Sequence, residues 1–213
     1  MRMSSMLLLV IFICTGCSAH LPLKIQQLDR SHTQAVHVKY KGKFQADVTL
    51  WQYQDHRWLN HRQYSAVVRR SGIALENAKK EGDGYTPSGI YALGPAFGYS
   101  PHLKTGLKYI QVNDNDFWVD DVNSAAYNTW VKGIPDAKSY EILKRKDDLY
   151  KMAAIIDYNA HPIVPGNGSA IFLHIWRNYR HPTSGCVALS ERNVRRLLKE
   201  LNQDKNPVII IER

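Results

Sequence analysis

The sequence predicts a mainly β domain with a few helices, one of them near the C-terminus. Apolar residues alternate with polar ones in several stretches, glycine-containing turns separate these stretches, and one late segment carries a clear helical stripe. The composition suits a single globular domain, because 44% of the 213 residues are hydrophobic and 22% are charged. A disordered chain, a fibre and a polytopic membrane protein are therefore excluded.

The first strands follow a polar N-terminal stretch. Val36, Val38 and Tyr40 alternate with polar residues, and a second alternating run covers 44–50 after a turn that contains glycine. Such period-two patterns predict antiparallel hairpins with one buried face. The folded domain is therefore expected to cover 36–213.

The middle of the chain is predicted from loops and short apolar runs. Residues 81–89 are rich in glycine and polar residues, which predicts a loop, and the strand-like run 90–93 follows it. A short helix is predicted around Ser139–Arg145, and 170–176 are predicted to form a buried strand.

The clearest helix begins after Ser190, which is a good N-cap residue. Its apolar stripe has the spacing i, i+3, i+4 and i+7 and consists of Val194, Leu197, Leu198 and Leu201. Asn206 and Pro207 predict the end of the helical region, and 208–211 predict a final strand.

The first 17 residues resemble a bacterial lipoprotein signal. Arg2 precedes an apolar run over 6–13, which is too short to cross a bilayer. Small residues follow, ending at Cys17, which the resemblance makes the lipidated residue, although Cys14 stands where such signals prefer leucine. We expect a signal and anchor over 1–17; plain secretion and an uncleaved anchor are the alternatives.

The signal implies an exported protein of the cell envelope or periplasm. Residues 18–35 are then a tether, and the lipid on Cys17 holds the protein at a membrane. By analogy, Ser18 suggests the outer membrane if the cell is Gram-negative. The formal charge of +9 favours anionic partners, which for an exported protein are lipid head groups and cell-wall peptides with carboxylates. No nucleic acid partner is expected.

The three cysteines of the chain divide into two groups. Cys14 and Cys17 have the spacing of a redox pair, but both fall in the signal region, which argues against that role. Cys186 is then a lone thiol in an oxidising compartment. Such a thiol is either a buried inert residue or a reactive one.

The neighbourhood of Cys186 favours a nucleophile. Small residues precede it, which allows a substrate to approach closely, and the backbone amides of Gly185 and Cys186 are candidates for holding an oxyanion. His174 and His181 are both close enough in sequence to act as the base, with His174 preferred because it follows an apolar strand.

Two other interpretations of this segment remain open. In the first, Cys186 simply begins a core strand with Val187 and Leu189. In the second, a metal is bound by four residues whose spacing matches no standard zinc pattern, namely His161, His174, His181 and Cys186.

Four stretches together resemble the YkuD-type L,D-transpeptidase catalytic domain, in a divergent branch of that family. In chain order they are GDGYTPSGIY at 82–91, WVDD with YN at 118–121 and 127–128, GSAIFLH at 168–174, and SGCVAL at 184–189. The stretches lie in the order found in that family, and they extend over about half of the chain.

The resemblance implies a sandwich-like β domain with the cysteine in a groove. Cys186 is then the nucleophile and His174 the general acid and base. The implied substrate is the peptidoglycan stem peptide: the thiol attacks the carbonyl of its third residue and releases the terminal D-Ala. The thioester then passes to an amine, which gives a 3→3 cross-link, or to water, which gives a tripeptide. No metal and no organic cofactor takes part.

The sequence departs from the common family pattern in three places. Ser184 stands where a second histidine is usual, and Ala188 stands where asparagine or arginine is frequent. The interval of twelve residues between His174 and Cys186 is also shorter than usual. These departures bear on donor choice and rate, but they leave the nucleophile and its base in place.

Further residues are candidates for substrate contact. Ser184 and His181 flank the thiol in sequence, and Arg177 and Arg180 could pair with stem carboxylates or belong to a solvated loop. Family positions to which the sequence assigns no role are Trp118, Asp120, Asp121, Tyr127 and Asn128.

The leading hypothesis is therefore a cysteine-dependent transpeptidase of the cell envelope. An L,D-carboxypeptidase that uses the same Cys186 and His174 is the close alternative, and a non-catalytic wall-binding lipoprotein is the other class. An active thiol is expected to react with iodoacetamide faster than an ordinary thiol near neutral pH.

Overall fold

The computed structural model describes residues 21–213. The predicted signal, the lipidation at Cys17 and the first residues of the predicted tether lie outside the described residues. Among the described residues, no helix is long and apolar enough to span a membrane.

The described chain is built mainly from strands, which confirms the predicted fold class. Its strands are β1 (Gln34–Gly42), β2 (Gln45–Gln54), β3 (Arg57–Val67), β4 (Gly89–Gly98), β5 (Tyr109–Gln111), β6 (Asp116–Val119), β7 (Trp130–Lys132), β8 (Tyr140–Ile142), β9 (Met152–Ile156), β10 (Phe172–Ile175), β11 (Val187–Leu189) and β12 (Val208–Glu212). Its helices are α1 (Leu23–Gln26), α2 (Glu191–Glu200) and a 3-10 turn at Gln203–Lys205.

The main sheet closes on itself. Its strand order is β12-β1-β2-β3-β11-β10-β9-β4-β5, and β12 also pairs with β4, so that eight strands form a ring with β5 added at its margin. The pairs β1–β12, β10–β11 and β4–β5 are parallel, and the other pairs are antiparallel. Closure removes most free sheet edges and fixes the neighbours of β10 and β11 on both sides.

One face of this sheet forms the main core together with α2. Val36 and Val38 on β1 belong to this core, whereas Ala35 belongs to a separate cluster on the opposite face, as the period-two pattern predicts. The apolar stripe of α2 is buried in the same main core. The backbone N–H of Asn193 donates to Ser190 Oγ at 3.3 Å, which confirms the predicted N-cap.

The opposite face of β9 and β10 is covered by a second sheet with the order β7-β6-β8. Trp118 on β6 packs edge-on against Phe172 on β10, with ring centroids 5.1 Å apart. A buried aromatic cluster therefore joins the small sheet to the strand that carries His174.

The helix predicted around Ser139–Arg145 is wrong. Tyr140–Ile142 form β8, which pairs with 117–119 of β6. Local apolar spacing suggested a helix, but pairing with β6 satisfies the backbone here and leaves Tyr140 and Ile142 on the exposed side. Glu141 consequently points to the opposite side.

The described part of the predicted tether is not simply irregular. Leu23–Gln26 form α1, and Ile25 is fully buried against Ala35, Trp51 and neighbouring side chains of β12. Leu21 and Leu28, which lie just outside this helix, also pack on the cluster. The N-terminal segment is therefore docked on the domain.

Candidate active site

Cys186 and His174 are brought together by two neighbouring parallel strands. Leu173 pairs with Val187 and His174 pairs with Ala188, so Cys186 lies just before the start of β11 and beside Phe172. Because side chains alternate along a strand, Phe172 and His174 share one face. Cys186 and His174 both line a cavity of about 260 Å³.

The Cys186 thiol is held by the backbone around β10. The sulfur accepts from the N–H of Phe172 at 3.3 Å and donates to the carbonyl oxygen of Ala170 at 3.3 Å. Its residue is only 4% exposed. Burial, reinforced by the nearby Glu141, raises the pKa of the thiol to about 12. The resting thiol is therefore neutral, contrary to the expectation of a thiol already activated in the free protein.

His174 is also neutral at rest. Its Nδ1 lies 2.8 Å from the carbonyl oxygen of Ile175, and because a carbonyl can only accept, we place the proton on Nδ1. Nε2 is then the nitrogen that can accept a proton. Burial lowers the pKa of His174 to about 4, against an ordinary value of 6.5.

The turn before Cys186 provides one open backbone donor. The N–H of Gly185 donates to Thr183 Oγ1 at 3.3 Å, whereas the N–H of Cys186 has no acceptor within the part of the chain that the structure describes. Of the two amides predicted as oxyanion donors, that of Cys186 is the freer one. Gly185 has a φ of +145°, and a Cβ there would lie 3.1 Å from Ile171 Cδ1. Its demonstrable role is to shape the turn.

The cavity also contains groups that sequence reasoning missed. Glu141 lines it and accepts a short hydrogen bond from the hydroxyl of Tyr150. The Tyr150 ring meets His174 edge-on at 5.1 Å, and the Arg145 guanidinium lies 5.1 Å from the centroid of the same ring. Arg145 is itself paired with Asp147 through two hydrogen bonds of 2.8 and 2.6 Å. No local sequence signal marks these residues, because only the pairing of β8 with β6 brings Glu141 here.

Three of the four predicted substrate-contact residues line the cavity: Ser184, Arg177 and His181. Arg177 is largely exposed and lies 3.9 Å from Asp147, and His181 Nδ1 lies 2.9 Å from Asn178 Oδ1. Arg180 is exposed in the same loop but does not line the cavity. The role of all four as substrate contacts stays a prediction.

The structure does not bring together the four residues of the metal hypothesis. His161 is an exposed residue 3.7 Å from Asp157 and does not line the cavity with His174, His181 and Cys186. Among the described residues, no group of three or more His, Cys, Asp or Glu side chains is arranged to hold a metal ion.

A buried network supports the segment that holds the thiol. Asn128 Oδ1 accepts from Trp118 Nε1 at 3.0 Å and from the N–H of Ala170 at 3.1 Å. Asn128 Nδ2 donates in turn to two backbone carbonyls of the loop after β9. Since the carbonyl of Ala170 accepts from Cys186, Trp118 and Asn128 position the hydrogen-bond partner of the Cys186 thiol.

Glu81 fixes the segment before β10 at a second point, through hydrogen bonds from Tyr127 and Ser169. The Tyr127 hydroxyl donates to Glu81 Oε2 at 2.6 Å, and Ser169 Oγ donates to the same oxygen at 2.7 Å. Asp121 instead orders its own loop by accepting from the backbone of Asn123 and Lys138. Asp120 has a buried carboxylate oxygen with no partner among the described residues.

A cysteine and a histidine that face one cavity are an arrangement used by enzymes that form a covalent intermediate on sulfur. The chain belongs to the YkuD family of L,D-transpeptidase catalytic domains, whose sequence profile matches residues 41–210. This membership confirms the resemblance to that family.

The comparison with solved structures finds a similar chain titled "Structure of Bdellovibrio bacteriovorus Bd1075". It shares 14% sequence identity with this protein, at a TM-score of 0.44. The alignment covers 85% of this chain and 48% of that chain, so this chain spans about half of its length. No curated protein matches the chain.

Proposed function

We propose that the protein is a peptidoglycan L,D-transpeptidase in which Cys186 is the nucleophile. The observation that carries this proposal is the placement of Cys186 and His174 on one cavity, in a domain of the YkuD family. The donor is a stem peptide whose third residue supplies the attacked carbonyl and whose terminal D-Ala leaves. No metal or organic cofactor is needed for these steps.

The first half-reaction forms a thioester. As Sγ bonds to the carbonyl carbon, the thiol proton passes to Nε2 of His174, which is the free nitrogen because Nδ1 is engaged with Ile175. The open N–H of Cys186 is suited to stabilise the developing oxyanion. When the C–N bond breaks, His174 returns this proton to the departing amine of D-Ala.

The neutral starting state is compatible with this chemistry. A thiol with a raised pKa and a histidine with a lowered pKa do not exchange a proton in the free protein. Proton transfer is therefore coupled to the attack on the substrate, when the sulfur becomes bonded to carbon and loses its basicity. Binding of the donor also displaces water from the cavity and orients the carbonyl.

The second half-reaction decides between two activities. An amine that attacks the thioester gives a cross-link and makes the protein a transpeptidase. Water at the same position gives a tripeptide and makes it an L,D-carboxypeptidase, with Cys186 and His174 in the same roles. Ser184, Arg177, Arg180 and His181 are proposed to contact the substrate at and near the mouth of the cavity.

We further propose that the protein is exported and anchored through a lipid on Cys17. The support is the apolar run before Cys17 and the small residues around it. Metabolic labelling with a fatty acid should mark the wild type and not a Cys17→Ala variant. Equal labelling of both proteins would contradict the anchor.

The test of the activity incubates the full chain and its Cys186→Ala variant with purified disaccharide-tetrapeptide, followed by mass spectrometry of the products. A dimer that has lost one D-Ala, present only with the wild type, would support the transpeptidase. Tripeptide alone would support the carboxypeptidase. Unchanged substrate with both proteins would contradict both activities and favour a wall-binding lipoprotein.

A further inference from the structure

Glu141 is an acidic side chain on the wall of the catalytic cavity of a basic protein. It lines the cavity together with Cys186 and His174, and it reaches this position because β8 pairs with β6, with Glu141 opposite Trp118. Its Oε2 accepts from the Tyr150 hydroxyl, whereas Oε1 has no hydrogen-bond partner among the described residues. One carboxylate oxygen is therefore held in place and the other is available to a ligand.

The residues around Glu141 orient its carboxylate but do not pair it with a cation. Tyr150 is buried between Glu141 and the two catalytic residues, since its ring meets His174 and its hydroxyl is close enough to lower the pKa of the Cys186 thiol. Arg145, the nearest cation, is already paired with Asp147 through both carboxylate oxygens. Glu141 therefore has no dedicated cationic partner of its own.

The two possible acyl acceptors differ in the number of protons that must be removed. When water attacks the thioester, one proton leaves the water and returns to the sulfur as the C–S bond breaks. When an ammonium group is the acceptor, its nitrogen loses two protons in becoming an amide, and the sulfur takes back only one. Transfer to an amine consequently needs a second proton acceptor, whereas hydrolysis does not.

His174 can serve as only one of these acceptors. Its Nδ1 proton is engaged with the Ile175 carbonyl, so Nε2 accepts a single proton at a time. A second acceptor must lie within reach of the same thioester. Among the groups lining the cavity, Glu141 is the carboxylate.

We propose that Glu141 binds the ammonium form of the acyl acceptor and takes the first of its two protons, with Tyr150 as the residue that positions it. His174 then takes the second proton as the C–N bond forms and gives it to the sulfur as the C–S bond breaks. The proton on Glu141 leaves to solvent after the product departs. This assignment rests on the proposed transpeptidase function, which it deepens by naming the residue that selects an amine over water.

The electrostatic environment of Glu141 agrees with its role as a proton acceptor. Burial raises the pKa of Glu141, and the neighbouring Asp120 and Glu81 act in the same direction, while Tyr150 and Arg145 oppose them. A carboxylate whose pKa is raised is a better proton acceptor near neutral pH than an ordinary one. The other titratable or charged groups that line the same cavity are Cys186, His174, Tyr150, Arg145, Arg177 and His181.

The experiment uses the full chain with disaccharide-tetrapeptide as both donor and acceptor, and it measures the ratio of dimer to tripeptide. Glu141→Gln keeps an oxygen for the Tyr150 hydroxyl but removes the base. We expect the ratio of dimer to tripeptide to fall about 100-fold near neutral pH, because transfer to an ammonium group loses its base and hydrolysis does not need one. With methoxyamine, an acceptor that is largely unprotonated at neutral pH, the ratio of transfer product to tripeptide should be the same for both proteins.

Asp114→Asn is the matched control, because Asp114 is an exposed carboxylate that pairs with Lys144 away from the cavity. It should leave the product ratio unchanged. If Glu141→Gln does not fold, Tyr150→Phe tests the same point, since it releases the carboxylate from its hydrogen bond and should also lower the ratio.

The outcomes separate this inference from the function on which it rests. An unchanged ratio in both variants, with normal cross-linking by the wild type, would overturn the role of Glu141 and leave the transpeptidase standing. A wild type that makes only tripeptide would overturn the inference and leave a hydrolase. A wild type that releases no D-Ala would overturn both.

Discussion

Burial has opposite effects on the two residues at the centre of the site. It raises the pKa of the Cys186 thiol to about 12 and lowers the pKa of His174 to about 4, so both side chains are neutral near pH 7. The free protein therefore holds a protected thiol and not a thiolate–imidazolium pair. Because a thiolate is oxidised more readily than a thiol, this state limits unwanted reactions of Cys186 before a substrate arrives.

The protected thiol predicts slow alkylation. In the folded protein without substrate, Cys186 should react with iodoacetamide at neutral pH more slowly than the same cysteine in urea, because only the thiolate reacts. Peptide mapping after timed labelling would follow Cys186 separately from the other cysteines. Faster labelling in the folded protein would show that the thiol is activated at rest.

His174 also predicts how stability depends on pH. Its folded-state pKa of about 4 lies below the ordinary value of 6.5, so on acidification the unfolded chain takes up the proton first. The free energy of unfolding should therefore fall as the pH drops from about 6.5 to about 4, by about 3 kcal/mol from this group. Urea unfolding at several pH values would measure it.

The control for this effect is His174→Asn, which can still donate to the Ile175 carbonyl but does not titrate. The variant should lose the part of the pH dependence that arises from the histidine. Identical pH dependence in the two proteins would contradict a buried neutral His174.

At the scale of elements, the site depends on loops tied to strands that are distant in sequence. Asn128, in the loop between β6 and β7, holds the N–H of Ala170 in the segment that leads into β10. Ala170 has a φ of +52°, an unusual value for a residue with a side chain, so this hydrogen bond stabilises a strained backbone. The Ala170 carbonyl, which accepts from the Cys186 thiol, is therefore positioned by a loop between two strands of the small sheet.

Asn128→Ala should therefore be costly. It leaves the buried Trp118 Nε1–H and the Ala170 N–H without their acceptor, which we expect to lower the free energy of unfolding by about 2–4 kcal/mol. It should also reduce the release of D-Ala, because the thiol's partner is displaced. Asn60→Ala, at an exposed position of β3, serves as the control for urea unfolding. Equal stability of the two variants would contradict the role of this network.

At the scale of the whole molecule, closure of the main sheet holds β10 and β11 side by side. β12 pairs with both β1 and β4, so the two strands that carry the site belong to a ring and not to an open edge. Catalytic groups on such a scaffold keep their relative positions better than groups on free loops. The segment that contains Ser184 and Gly185 connects β10 with β11, so both of its ends are anchored in this ring.

Much of this architecture is predictable because its patterns are local. Alternation identifies β1 and β2, the cap at Ser190 and the apolar stripe identify α2, and the run after Pro207 identifies β12. Cys186 and His174 are found from a motif. Ring closure is not predictable in this way, because it depends on pairings such as β12 with β4 between segments far apart in sequence.

The dependence on pairing between distant segments also explains two failures of the sequence analysis: the helix wrongly predicted at 139–145 and the absence of Glu141 from the predicted site. A three-residue strand has too few residues to show a period of two, and Glu141 gains its position only from pairing with β6. The hydrogen bond between Glu141 and Tyr150 joins residues that carry no shared motif. Tertiary pairing decides both features.

The central claim is that Cys186 carries the acyl group, and intact-protein mass spectrometry tests it most directly. The full chain, mixed briefly with disaccharide-tetrapeptide, should gain the mass of the donor less one D-Ala, and digestion should place the added mass on Cys186. Cys186→Ala should gain nothing. A wild-type protein that releases D-Ala without ever carrying this mass, or a Cys186→Ala variant that still carries it, would contradict the account.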